Sequence, residues 1–140
     1  MADRIDSETR SRIMSKIHSK NTKPEILVRR WLHSQGYRFT LHSKDLPGKP
    51  DIVLPKYRTV IFVHGCFWHG HPGCKNAKRP QQNSVFWNAK IDRNIERDSL
   101  NMDKLKALGW NVLVIWECMV YDKSFTSQLT DLKFEGRVPR

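Results

Sequence analysis

The chain has 140 residues, 39% of them hydrophobic, which is enough apolar material for one compact domain and too little for two. The longest apolar runs, DIVLP and TVIFV, are too short to span a membrane, and the N-terminal residues MADRIDSETR are too polar for a signal peptide, so we expect a soluble cytoplasmic protein without a membrane partner. A net charge of +11 argues against a small neutral substrate and favours a polyanion, with nucleic acid as the first candidate.

The predicted elements begin with a basic helix over residues 7–18. This helix lies in residues 1–20, a segment that we expect to be loosely attached to the single domain over residues 1–140 and able to clamp DNA. A second helix is predicted to start at Thr22, because TKPE supplies an N-cap threonine, a proline in the first turn and Glu25 at the capping-box position. That helix should run to Gly36, and YRFTLH then predicts a strand.

Two apolar runs in the middle of the chain predict a buried β-hairpin. DIVL and RTVIFVH are short and rich in β-branched residues, and the turn-like PKY separates them. We expect the two strands to pair about Lys56 with both faces buried. Residues 65–83, rich in glycine, proline and polar residues, are predicted to form a loop.

A long helix is predicted from Ser84 to Leu108, with Gly109 as its stop. The run WNVLVIWE predicts another buried strand, and a weak helix is expected to close the chain. Strands and helices in this order indicate an α/β sandwich around a small mixed sheet. The apolar stripe of the long helix is predicted to contain Trp87, Ile91, Ile95, Met102 and Leu105.

Cysteine and histidine are concentrated in HGCFWHGHPGC, residues 64–74. Cys66, His71 and Cys74 form the pattern C-x4-H-x2-C, and Cys118, just after the last predicted strand, supplies a possible fourth ligand. A Cys3His set is typical of a closed, structural Zn²⁺ site. The alternative is that these are buried cysteines without a metal, since three cysteines in an intracellular chain do not form a disulfide scaffold.

His64 and His69 have no place in that zinc set. A single histidine is more often structural than catalytic, but the hairpin should bring Asp51 and His64 to its open end, where the two could hold a hard cation. Asp98 falls in the middle of the apolar helix stripe, so its carboxylate needs a buried partner. An imidazole from the preceding loop would make a catalytic pair, whereas an arginine or a backbone cap would make a structural bridge.

Two Phe-Trp pairs complete the candidate residues. Phe67-Trp68 lies in the loop, where little core is available, and rigid aromatic side chains of a basic protein can wedge between DNA bases. Phe86-Trp87 lies at the start of the long helix, and because aromatic residues are ordinarily buried we expect this pair in the core.

The segments GKPD, FVHGCFWHGHPGC, NIERD and WECMV strongly resemble the very-short-patch repair endonucleases, and the resemblance runs from SRIMSKIHSKNTKPE to WEC. It implies a restriction-endonuclease-like fold, in which helices flank a central mixed sheet, with a structural zinc. It also implies an enzyme that nicks double-stranded DNA on the 5′ side of the thymine in a T:G mismatch, starting repair of deaminated 5-methylcytosine. Such an enzyme would act as a monomer, with mismatch-repair proteins as candidate partners.

The same resemblance assigns roles to individual residues. It makes Asp51 the Mg²⁺-binding carboxylate, with the backbone carbonyl of Val63 as a further ligand and Glu25 as a possible supporting residue. The remaining catalytic groups would be His64, His69 and Asp98, the zinc ligands would be Cys66, His71, Cys74 and Cys118, and the DNA-wedging residues would be Met14, Phe67, Trp68 and Trp87.

The chain departs from the family pattern at three places. Val63 stands where relatives have threonine, and HPGC before Cys74 is one residue longer than in some relatives. The strand ends in FVH, where restriction-type folds carry Glu-x-Lys, so we expect histidine to replace lysine in handling the attacking water. Two other functions stay open on the sequence: a restriction enzyme that cuts both strands, and a zinc-dependent DNA-binding module without catalysis.

Overall fold

A mixed four-stranded sheet organises residues 22–130, the part of the chain that the computed structural model describes. The predicted helix over residues 7–18, the segment 1–20 and Met14 lie outside these residues. The described elements in chain order are α1 (Lys23–Ser34), β1 (Thr40–Leu41), β2 (Ile52–Leu54), β3 (Thr59–His64), α2 (Ser84–Ala107), β4 (Asn111–Trp116), α3 (Glu117–Tyr121) and α4 (Phe125–Thr130).

The predicted hairpin is confirmed. β2 and β3 pair antiparallel about a 3₁₀ turn, with Leu54 opposite Thr59, and the side chains of both strands are almost all buried. Arg58 completes the turn with a left-handed φ of 51°. β1 pairs antiparallel with β2, but only Thr40–Leu41 of the predicted strand YRFTLH forms it.

β4 lies parallel to β3, in register from Thr59 opposite Asn111 to His64 opposite Trp116. Parallel neighbours need a crossover connection, and α2 provides it. Both strands therefore end at the same edge of the sheet, at His64 and Trp116. The expectation that β4 is a fully buried strand is wrong: it is an edge strand of the described sheet, with Ile115 buried and its other side chains partly or fully exposed.

Both faces of the sheet are covered by helices, which confirms the α/β sandwich. Alternate side chains of a strand point to opposite faces, so Ile61 packs towards α1 and α4 while Val60 and Phe62 pack towards α2. The larger of the two cores includes Val28, Leu32, Ile52, Ile61, Ile115, Phe125 and Leu129. Within residues 22–130 no helix has the length and apolar composition needed to cross a bilayer.

The first turn of α1 begins as the sequence predicts. The side chain of Thr22 accepts a hydrogen bond from the backbone N–H of Glu25, and Pro24 lies in the first turn. The capping-box position does not account for the Glu25 side chain, however. Its carboxylate is buried and contacts Arg29 and His42.

The long helix α2 begins at the predicted Ser84 and ends one residue before the predicted Leu108, and Ile91 and Leu105 of its predicted apolar stripe are buried. Ile95 is 39% exposed, whereas Asn94 is buried and donates from Nδ2 to the backbone carbonyl of Trp68 at 2.9 Å. The expectation that Phe86 lies in the core is also wrong, because its side chain is 58% exposed. Asn94 is buried because the loop after β3 packs on this face of α2, with Gly70 against Ile91 and Ile95, and the backbone carbonyl of Trp68 needs a hydrogen-bond donor there.

Candidate active site and metal centre

A cleft of about 480 Å³ opens at the edge of the sheet where β3 and β4 end. The first turn of α1 forms one wall and the middle of α2 forms the opposite wall. Its lining includes Glu25, Asp51, His64, Phe67, Trp68, His69 and Asp98. Of the candidate catalytic residues named from the sequence, those in the described chain therefore all reach one cavity.

Asp51 is the residue just before β2, and it lines the cleft. Its Oδ2 accepts a hydrogen bond of 2.7 Å from the backbone N–H of Val63 on β3. Desolvation in the cleft wall raises the pKa of Asp51 to about 6, despite this hydrogen bond. The structure shows the backbone N–H of Val63 at the Asp51 carboxylate, whereas the metal-ligand role that the resemblance implies belongs to the backbone carbonyl of Val63.

A second carboxylate lies next to Asp51. Glu25 is 2% exposed, and its Oε2 contacts both Arg29 and, at 2.5 Å, the Nε2 of His42. One donor atom from each of Glu25, His42 and Asp51 lies within 4.8 Å of the other two. Oxygen donors at this spacing suit a hard divalent cation.

On the α2 side, His69 forms a close pair with Asp98. His69 Nδ1 lies 2.6 Å from Asp98 Oδ2, and both side chains are largely buried. The aspartate on the apolar helix stripe thus contacts an imidazole from the preceding loop, one of the two alternatives that the sequence leaves open. Because the carboxylate accepts from Nδ1, the proton-accepting nitrogen of a neutral His69 is Nε2.

His64 stacks face to face on His69. The ring centroids are 3.8 Å apart and the planes differ by 4°. Burial, followed by the neighbouring His69, lowers the pKa of His64 to about 3, so His64 is neutral at physiological pH. Its Nδ1 is buried and has no hydrogen-bond partner among the described residues. A buried polar atom that lacks a protein partner at a cleft can hydrogen-bond to a bound ligand.

The predicted metal ligands meet on the far side of this loop. Donor atoms of Cys66, His71, Cys74 and Cys118 lie within 4.8 Å of one another. His71 Nδ1 is 3.5 Å from the Sγ of Cys118, close to the donor separation of about 3.5 to 3.8 Å that follows from tetrahedral zinc bond lengths. Soft thiolates with one imidazole fit a structural zinc, and these four groups can hold a metal ion that ties the loop to the end of β4.

Trp116 lies between the two sites. His71 stacks on its ring at 4.2 Å with the planes 9° apart, and His64 meets the same indole edge-on at 5.3 Å. Along residues 64–71 the chain alternates, with His64 and His69 at the cleft and Cys66 and His71 at the metal centre. One short loop therefore fixes both sites relative to each other.

Four aromatic side chains form a cluster beside the cleft. Trp87 contacts three rings, with centroid distances of 5.4 Å to Phe67, 5.8 Å to Trp68 and 5.1 Å to Phe86. Phe67 and Trp68 also line the cleft. Trp87 is half-buried in this cluster and so is not part of the hydrophobic core over the sheet.

Sequence reasoning missed three residues at these sites. His42 gave no local signal, because its contact with Glu25 joins positions 17 apart in the chain. Asn94 looked like an ordinary polar helix residue, although it holds the loop through the carbonyl of Trp68. Trp116 appears in the sequence only within the motif WECMV. Pairing the end of β3 with the end of β4 places it next to His64 and could have indicated its position at the site.

Comparisons with known proteins extend over most of the chain. Residues 2–76 match the family described as DNA mismatch endonuclease Vsr. The type II nicking enzyme V.XorIIP of Xanthomonas oryzae pv. oryzae is 52% identical over 122 residues, which cover 87% of this chain and 89% of that protein. The type II nicking enzyme V.NmeAIP of Neisseria meningitidis is 49% identical, covering 89% of this chain and 88% of its own length. The DNA mismatch endonuclease Vsr of Escherichia coli is 43% identical, covering 94% and 81%.

Proposed function

Because the chain belongs to the Vsr family of DNA mismatch endonucleases, we propose that it is a magnesium-dependent enzyme that nicks one strand of duplex DNA on the 5′ side of the thymine in a T:G mismatch. Such mismatches arise by deamination of 5-methylcytosine, and the nick would start very-short-patch repair. The observation that carries the proposal is the His69–Asp98 pair, 2.6 Å apart, in the same cleft as Asp51. A DNA-binding module without catalysis has no need of this arrangement.

Asp51 and Glu25 are the side chains that would hold the cation, with the carbonyl of Val63 as a third oxygen ligand. Their oxygen chemistry and their closeness suit Mg²⁺. A magnesium ion bound there would polarise the scissile phosphate and stabilise the charge on the leaving oxygen. The remaining catalysis then falls to the histidines.

His69 is the group that we assign to proton transfer. Asp98 engages Nδ1, which fixes the ring and directs Nε2 to the attacking water. Asp98 also stabilises the positive charge that His69 acquires when it takes the proton. His64 stays neutral beside it and would offer its ring nitrogen to the phosphate.

The aromatic cluster supports mismatch recognition. Phe67, Trp68 and Trp87 are rigid, partly exposed rings next to the catalytic cleft, on a chain with a net charge of +11. Wedging rings into the stack costs less at a mismatch than at a matched pair, because the mismatch is already weakened. Met14 would enter from the DNA groove opposite the one that the three aromatic rings enter. A monomer has one such site and would therefore cut one strand.

A nicking assay tests the function directly. Duplexes that differ only in a T:G or a T:A pair, with each strand labelled separately, are incubated with the zinc-loaded enzyme in the presence or absence of Mg²⁺. We expect cleavage of the thymine strand alone, only in the T:G duplex and only with the metal. Cleavage of both strands of the matched duplex would indicate a restriction enzyme, and tight binding without any cleavage would indicate a DNA-binding module.

We expect the protein purified without chelator to carry about one zinc ion per chain, measured by elemental analysis. Cys118→Ser should lower the zinc content and the melting temperature together, because the metal would join residues 66–74 to the end of β4. Ser127→Ala, on an exposed residue of α4, is the control and should change neither. A wild-type protein free of zinc would show that the four residues are not a zinc site.

Trp68→Ala should reduce the preference for T:G over matched DNA by about 5-fold to 150-fold, since stacking on an aromatic ring contributes roughly 1 to 3 kcal/mol. Binding to matched DNA should change little, because the basic residues that contact phosphates are retained. Competition binding with the two duplexes measures both quantities. Trp68→Phe keeps a stacking ring and should retain most of the preference; an unchanged preference in Trp68→Ala would remove Trp68 from the wedge.

A further inference from the structure

The buried Glu25 carboxylate is secured by two side chains from different parts of the chain. Arg29 lies one turn further along α1, and His42 follows β1. Both reach the same oxygen, Oε2. Since a carboxylate accepts hydrogen bonds, the Nε2 of His42, 2.5 Å away, must carry the proton and donate it.

The backbone of His42 is hydrogen-bonded to Asp51. Its backbone N–H donates to the carbonyl of Asp51 at 3.1 Å, so the two residues lie across from each other at the edge of the sheet. The φ of His42 is 48°, a left-handed conformation that residues other than glycine adopt infrequently and at some cost. Such strained positions concentrate at functional sites.

The consequence is a fixed spacing between two carboxylates. Glu25 and Asp51 both line the cleft, and their oxygens lie within 4.8 Å of each other and of His42. Two anionic groups this close repel each other unless donors or a cation offset the charge. Arg29 lies on the same helix as Glu25, whereas His42 links the Glu25 carboxylate to the backbone of Asp51, the residue before β2.

We propose that His42 is a positioning residue that holds the Glu25 carboxylate beside Asp51, so that the two carboxylates bind one divalent cation together. This inference rests on the proposed function for the cation's role in nicking, but its central claim concerns cation affinity. Partners of metal-binding groups typically contribute about 10-fold to 100-fold in affinity or activity. We expect His42 to contribute in this range.

The test uses a pair of amides that differ in reach. In His42→Gln the amide nitrogen occupies about the position of Nε2 and can still donate to Glu25. In His42→Asn the amide stops near the position of Nδ1 and falls short, while asparagine tolerates the left-handed backbone better than most residues. His33→Asn, on an exposed histidine in the last turn of α1, is the matched control.

Binding of Mn²⁺ to the zinc-loaded, DNA-free protein is measured by calorimetry, independently of nicking. We expect His42→Asn to weaken Mn²⁺ binding by about 10-fold to 100-fold, and His42→Gln and His33→Asn to stay close to wild type. The Mg²⁺ concentration for half-maximal nicking should rise in parallel in His42→Asn, with the rate at saturating Mg²⁺ largely restored. A merely structural role would lower the melting temperature without this shift in metal dependence.

A double mutant shows whether His42 acts through Glu25. In a Glu25→Gln background, His42→Asn should weaken Mn²⁺ binding no further. Unchanged affinity in His42→Asn, an equal additional loss in the Glu25→Gln background, or a wild-type protein that binds no Mn²⁺ would each overturn the proposal. If the wild type binds Mn²⁺ in a His42-dependent way but nicks no T:G duplex, the proposed function fails while the positioning role stands.

Discussion

Asp51→Asn is expected to reduce nicking by more than about 1,000-fold while the protein still folds and binds DNA. The asparagine side chain keeps nearly the same shape, and its oxygen can still accept the hydrogen bond from the Val63 amide. It loses the negative charge that would hold the cation. Loss of Lewis-acid catalysis costs several kcal/mol in the transition state, and each 1.4 kcal/mol is a factor of ten in rate. Single-turnover cleavage of a T:G duplex measures the loss.

The same substitution should not lower the stability of the protein when its zinc site is filled and no Mg²⁺ is bound. The pKa of Asp51 is raised by desolvation to about 6, above its ordinary value of 3.8, so the folded state binds the proton more tightly than the unfolded state. The ionised carboxylate therefore destabilises the fold as pH rises through this window, and the cost is fully present at neutral pH. The uncharged asparagine avoids the cost, so at about pH 7.5 without added Mg²⁺, and with the zinc retained, its melting temperature should equal or exceed that of wild type.

Asp45→Asn provides the control for Asp51, because Asp45 is an exposed aspartate on the same connection between β1 and β2. It should nick at the wild-type rate. If Asp51→Asn kept substantial activity with Mg²⁺, the cation would have to be held by other groups, and the assignment of Asp51 would be wrong.

Asp98→Asn should slow single-turnover nicking by about 100-fold to 10,000-fold, the usual contribution of general acid–base catalysis. The asparagine can still contact His69, but it cannot stabilise a positively charged imidazole, and its amide can hold the ring in the wrong tautomer. Zinc content, melting temperature and affinity for T:G DNA should all be retained, since asparagine has nearly the same shape as aspartate and can still hydrogen-bond to His69.

Asp103→Asn is the matched control for Asp98→Asn, because Asp103 is an exposed aspartate further along the same helix, α2. It should leave the rate unchanged. Two results would count against the catalytic pair: an Asp98→Asn enzyme that nicks at close to the wild-type rate, or one that loses activity only in proportion to its loss of folded protein. Either would make the contact with His69 a structural bridge.

The elements that sequence analysis placed correctly are those with strong local patterns. The hairpin about Lys56 follows from two β-branched runs with a turn between them, and α2 follows from helical spacing ended by a glycine, Gly109, with a φ of 91°. The first turn of α1 follows from Thr22 and Pro24. In these cases a few neighbouring residues carry the information, so no knowledge of the tertiary structure is needed.

The errors come from contacts between distant segments. Helical spacing places Ile95 on the apolar face, yet the loop after β3 covers that face and makes Asn94 the buried residue. Similarly, a capping-box pattern explains the position of Glu25 in the helix but not its side chain, whose partner His42 comes from another strand connection. An aspartate on an apolar stripe requires a partner, which is a tertiary constraint that one residue can reveal, and of the alternatives left open the structure shows the imidazole of His69.

The alternation of residues 64–71 between the cleft and the metal centre constrains how this chain can diverge. An insertion or deletion between His64 and His71 would displace a cleft histidine and a metal ligand at the same time, so neither site could compensate for the other. Between His71 and Cys74, a change of length would displace one candidate metal ligand, Cys74, and no residue that lines the cleft, and Gly73 there has a φ of 71° and open space around it. We therefore expect natural variants to vary the length of this loop between His71 and Cys74 and to conserve the spacing from His64 to His71.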